Sequence, residues 1–166
     1  MYTFFVILHI ISVGIGVGLV TTMVVGTILR KKVKGTAAEI AAIRSGAMMA
    51  PIMGNLASVG LLITGAVITT MNYSWFPFST FPWLAIKQCV FILLLLVSLF
   101  MLKPRGEKIL KMATAELSSP NASRGASEEL RALVGKQYAT VLFIALLVLI
   151  NISLGESKAM MWVTAP

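Results

Sequence analysis

The chain contains no aspartate, one histidine, His9, and one cysteine, Cys89, in 166 residues. Without aspartate there is no Ser-His-Asp triad, and no pair of carboxylates stands out as an acid/base couple, so hydrolytic chemistry is not expected. The lone cysteine excludes an intrachain disulfide and any cysteine cluster for a metal within the chain. Its place inside an apolar stretch makes Cys89 a packing residue. Charge is scarce too: 12% of residues are charged, against about 25% in an average soluble domain.

What charge there is lies in blocks. Twelve of the fourteen Lys and Arg residues fall between Arg30 and Arg44 or between Lys103 and Lys136. These blocks separate four apolar stretches, Thr3 to Leu29, Ala47 to Met71, Pro82 to Leu102 and Tyr138 to Met161. Each is near or above the roughly 20 residues that span a bilayer as helix. A soluble bundle would need polar outer faces, which these stretches lack. The expected fold is therefore all-α, an integral membrane four-helix bundle forming one domain over residues 1–166, with basic loops at 30–46 and 103–137. Short loops rich in Lys and Arg stay in the cytoplasm. Both termini then lie on the outer, periplasmic side of the cell inner membrane, together with the uncharged aromatic loop Asn72 to Phe81. The first helix has neither the basic start nor the cleavage site of a signal peptide. The net charge of +8 is explained by anionic lipid headgroups facing the basic loops, so no nucleic-acid partner is expected.

Within helix 1, Gly14, Gly18, Thr22 and Gly26 recur every four residues, which predicts a face where another helix backbone approaches closely. The Gly14, Gly16 and Gly18 run is no nucleotide loop, because it sits mid-span with no strand before it. Thr36 and Glu39 form a capping-box pattern at the start of helix 2, which then bends near Pro51. Asn55 in the same helix predicts an interhelical hydrogen bond. In the second basic loop, Ile109, Leu110, Ala113 and Leu117 oppose Glu107, Lys108 and Lys111, the pattern of a helix lying on the inner leaflet. Ser127 followed by Glu128 and Glu129 reads as the N-cap of helix 4.

Ionisable groups inside a membrane are expensive and so are functional candidates. His9 lies about 10 Å below the outer edge of helix 1, and Lys87 lies at similar depth in helix 3. Asn151, Ser153 and Glu156 of helix 4 reach the same side, so His9, Lys87, Asn151 and Glu156 are expected in one layer. Bland roles compete with function here: Lys87 can snorkel to headgroups or pair with Glu156, and His9 can simply bond a neighbouring helix. If His9 binds a metal, neutral imidazole suits haem iron or copper. Met48, Met49 and Met53 offer thioethers of the kind Cu(I) favours, although methionine is also ordinary apolar filling.

Leu8-His9 with its glycine-rich continuation, Pro51-Ile-Met-Gly-Asn-Leu56 leading to Gly65, and Trp83-Leu-Ala-Ile-Lys87 together resemble the CopD-like and HemJ-like membrane proteins. The resemblance spans helices 1 to 3. It implies a haem-facing role for His9 and a basic role for Lys87. The oxidase activity of the HemJ type is not carried over, because the further histidines and the aromatic, basic pattern after His9 are missing. The leading expectation is thus a redox-associated protein holding haem b, a related tetrapyrrole or a quinone through His9, with Lys87 nearby. A non-catalytic structural or accessory subunit of a larger membrane complex is the second, and copper or small-solute transport the third; the expected partners are the bilayer and other membrane subunits or further copies of the chain.

Overall fold

A computed structural model describes residues 1–73 and 75–163, the side chains of 72 and 155–163 excepted. The order is α1 (Tyr2–Lys32), α2 (Ala37–Asn72), α3 (Pro82–Val97), a π-turn (Ser98–Leu102), α4 (Lys103–Leu117), a short 3-10 turn (Ala122–Arg124) and α5 (Glu128–Val163). No strand occurs among the described residues. The four long apolar helices, counting α3 to α4 as one, are each able to cross a membrane. The chain is an all-α, four-helix membrane bundle, with α1 packed on α2, α3 on α5, and α1 also touching α5.

The helices outrun the apolar stretches. At 36 residues, α2 is about 54 Å long, well beyond the roughly 30 Å of bilayer hydrocarbon. The surplus sits at the basic end, where α2, α4 and α5 build a cap. The cap holds a buried apolar cluster of Ile40, Ile43, Ile109, Ala113, Ala126 and Leu130. The location follows from the solvent: water drives apolar side chains together, whereas lipid tails do not.

The stretch 103–117 is not a separate helix on a leaflet. It continues α3 through the π-turn, and its apolar residues Ile109 and Ala113 are buried in the cap. Pro104 is the cause of the turn: it has no N–H for the carbonyl of Phe100, and its ring would strike that carbonyl in a regular helix. Gln137 of α5 donates from Nε2 to the nearby Leu102 carbonyl at 3.3 Å.

In the membrane-spanning part, α1 and α2 meet through small residues. A Cβ built on Gly60 would lie 2.3 Å from Ser12 Oγ, and one on Gly16 would lie 3.7 Å from the Ala57 Cβ. This places the close-packing face at Ser12 and Gly16, not on the expected line. Nothing lies within 4 Å of a Cβ on Gly14, Gly18 or Gly26, and Gly14, Gly18 and Thr22 are exposed. Cys89 is exposed rather than packed inside.

Thr36 precedes α2 as expected, but the capping box does not form. The Thr36 hydroxyl donates to the Val33 carbonyl, while Glu39 turns to other partners. Its Oε1 accepts from Arg131 Nε at 2.9 Å, and its Oε2 accepts from Arg131 Nη2 at 2.7 Å and from the Gly35 and Ala126 N–H groups. Glu39 is 5% exposed, and these donors hold its carboxyl well below the usual range, at about 2. Gly35 and Gly125 both have positive φ, and a Cβ on Gly125 would lie 2.6 Å from the Gly35 Cα. Two turns therefore touch backbone to backbone beneath one buried carboxylate. Ser127 does cap α5, accepting from the Leu130 N–H at 3.2 Å, and Glu116 of α4 accepts from the Ser127 N–H at 2.9 Å.

Candidate functional site

His9 lies in α1 two turns from its start, half-buried against α2. Gly65 leaves room for the ring: a Cβ there would lie 3.6 Å from His9 Cε1. The partner of the ring is Thr64, whose Oγ1 is 2.8 Å from His9 Nδ1. Thr64 is 3% exposed, and its hydroxyl also lies 2.6 Å from the Gly60 carbonyl. A carbonyl can only accept and a hydroxyl has one proton, so Thr64 donates to Gly60 and accepts from His9. In the neutral ring Nδ1 then carries the hydrogen and Nε2 the lone pair, an assignment made from the bonding pattern.

Lys87 is half-buried on α3, five residues from the helix start and toward the same end of the bundle as His9. Asn151 reaches this layer from α5 and donates from Nδ2 to the Lys87 backbone carbonyl at 3.0 Å. That contact fixes α3 against α5 at the level of the lysine. Ser153 is exposed. The Glu156 side chain lies outside the described residues.

Thr64 belongs to the site and Gln88 supports the aromatic turn next to it; neither was singled out by sequence. Thr64 could have been found by depth, since it stands within one residue of the same distance from the aromatic end of α2 as His9 does from the start of α1. Gln88 follows Lys87, and its Oε1 accepts from the Phe76 N–H at 2.8 Å. Because that N–H needs an acceptor, the amide orientation is fixed. Its Nε2 is then a buried donor without a partner among the described residues. Phe76 itself has φ 48, a strained value for a side-chain-bearing residue, and the Gln88 bond helps hold it. Around this turn Trp75, Phe76 and Phe78 are exposed in the manner of an aromatic belt at a membrane boundary.

Met48 and Met49 are 44% and 52% exposed on α2, and Met53 is half-buried. They lie toward the basic end, on the opposite half of α2 from Thr64. Among the described residues no group of three or more His, Cys, Asp or Glu side chains is placed to hold a metal ion.

The fold and this polar layer define a class: a multi-pass four-helix bundle carrying one oriented imidazole and one lysine near its aromatic end. Beyond the class, no protein family, curated protein or solved structure matches the chain.

Proposed function

We propose that the protein is a small redox-associated membrane protein that holds haem b, a related tetrapyrrole or a quinone at its aromatic end through His9. The observation that carries this reading is the Thr64 bond to Nδ1, which leaves Nε2 with a free lone pair at the end of the bundle where Lys87 also lies. The residues fit such a group. An imidazole with its other nitrogen tied back is the usual form of an axial ligand, and an ammonium suits a tetrapyrrole carboxylate or a quinone oxygen. Haem b bound here would supply one-electron transfer. The chain's own residues hold and orient: Thr64 fixes the tautomer, Gly65 admits the ring, and Asn151 anchors the helix turn that carries Lys87. With a single histidine in the chain, each chain would offer such a group one imidazole. The likeness to CopD-like and HemJ-like proteins is part of this proposal, as is an orientation with the basic cap in the cytoplasm.

The test is an absorption spectrum of protein purified from haem-sufficient cells, beside His9→Ala and Thr64→Val. A Soret band is expected in the wild type and not in His9→Ala. Thr64→Val keeps the side-chain shape but removes the Nδ1 acceptor, and its affinity for haem is expected to fall roughly tenfold. A colourless wild type removes the haem version, and an empty solvent extract then removes the quinone version.

A further inference from the structure

The outward face of α2 is exposed along much of its length, and the line on it that contains Asn55 keeps a regular spacing. From Ala38 to Leu62 steps of three and four residues alternate, through Ala41, Ser45, Met48, Ile52, Asn55 and Val59. Every one of these positions is exposed and uncharged. This is the seven-residue spacing of a left-handed helix pair, sustained over about 36 Å. It crosses from the water-facing cap into the membrane past Pro51, which lies inside the continuous helix.

Asn55 is the anomaly on this line. It stands eleven residues beyond Arg44, whose guanidinium bonds Thr114 in the cap, and so lies about 16 Å further along the helix. Its one-methylene side chain cannot return to the headgroups from that depth. The exposed carboxamide makes no hydrogen bond among the described residues. The hydroxyls of Thr21 and Thr22 on the exposed side of α1, by contrast, donate to their own helix carbonyls. An amide in hydrocarbon with donors and an acceptor unmet is costly.

We propose that this line is the interface between two copies of the chain, closed at mid-span by reciprocal Asn55 hydrogen bonds. A two-fold interface sets a residue against itself, and a carboxamide is complementary to itself because it donates and accepts. Apolar or singly polar partners would leave half of it unmet. Charge agrees. Twelve basic residues crowd the two blocks that lie at or near the cap, yet the charged residues of α2 turn away from the line, Glu39 into the interior and Arg44 onto Thr114. Two copies can therefore approach along α2 without the charges of α2 itself lying between them. A crossing near the roughly 20° of left-handed pairs is expected.

The experiment uses the full chain in lipid vesicles, with Cys89→Ser removing the native thiol. Single cysteines Ile52→Cys and Val59→Cys are expected to form disulfide dimers under mild oxidation, while Gly18→Cys on α1 is not. Fluorescence transfer between labelled copies, followed as lipid is added, gives the dimer Kd. Asn55→Leu is expected to raise it roughly tenfold, and Asn55→Gln to restore most of the loss. Asn55 is exposed and makes no hydrogen bond among the described residues, so an unchanged thermal melt at high dilution separates lost pairing from lost folding. Transfer that stays absent at every protein-to-lipid ratio overturns the proposal, as does cross-linking that favours Gly18→Cys. So does an Asn55→Leu chain that dimerises as well as the wild type, or Ile52→Cys captured in cells only by a different protein.

Discussion

At Gly60 the missing side chain is what lets α1 and α2 meet, because a Cβ there would lie 2.3 Å from Ser12 Oγ and 3.1 Å from Ser12 Cβ. The second atom cannot rotate away. Gly60→Ala is expected to destabilise the bundle by roughly 1–3 kcal/mol, and Ser12→Gly in the same chain to recover most of it, as read by thermal denaturation in detergent. Gly14→Ala on the open side of α1 is the control and should be nearly silent. The same contrast explains why one helix read alone pointed to the wrong face. α1 carries two lines of small residues, Ser12 with Gly16 and Gly14 with Gly18 and Thr22. Spacing cannot choose between them; the small residues Ala57 and Gly60 on α2 do. His9 and Lys87 were legible because ionisable groups are rare in apolar stretches. Thr64 was not, since a threonine can satisfy itself on its own helix and only the folded pair shows its second bond.

At the scale of elements, Glu39 joins the start of α2 to the start of α5 and to both turns before them. Its carboxyl sits at about 2 in the fold against an ordinary value near 4.5. A depressed value stabilises the fold above the unfolded pKa and is lost as pH falls toward the folded one. The cap is thus expected to weaken between about pH 4.5 and 2, by on the order of 3 kcal/mol. Hydrogen exchange at the Gly35 and Ala126 amides checks this. Glu39→Gln should exchange faster at neutral pH and lose most of the acid dependence; an unchanged profile would assign the acid sensitivity to another group. The four apolar runs and the Thr36 and Ser127 helix starts were plain in the sequence, since each depends on local composition. The partners of Glu39 and the continuity of α3 with α4 were not. The first depends on a residue 92 positions away, and Pro104 reads equally well as a helix start or as a kink inside one.

For the whole molecule, the division of charge between its ends implies a direction across the membrane. With Cys89→Ser as background, Ser123→Cys at the basic end should react with an impermeant maleimide only after the membrane is opened, and Ser79→Cys at the aromatic end in intact cells. Reversed labelling would turn the proposed orientation over and place His9 toward the cytoplasm. The cap also has a consequence for biosynthesis. Its apolar residues come from α2, α4, α5 and the turn before α5, and Leu130, 0% exposed, arrives only with the last helix. Until then Ile40, Ile43 and Ile109 face water, and Glu39 waits for Arg131. The cap is therefore a completion seal: a chain halted before Glu128 displays a greasy, acid-bearing patch to the proteases and chaperones of its compartment, and a finished chain hides it.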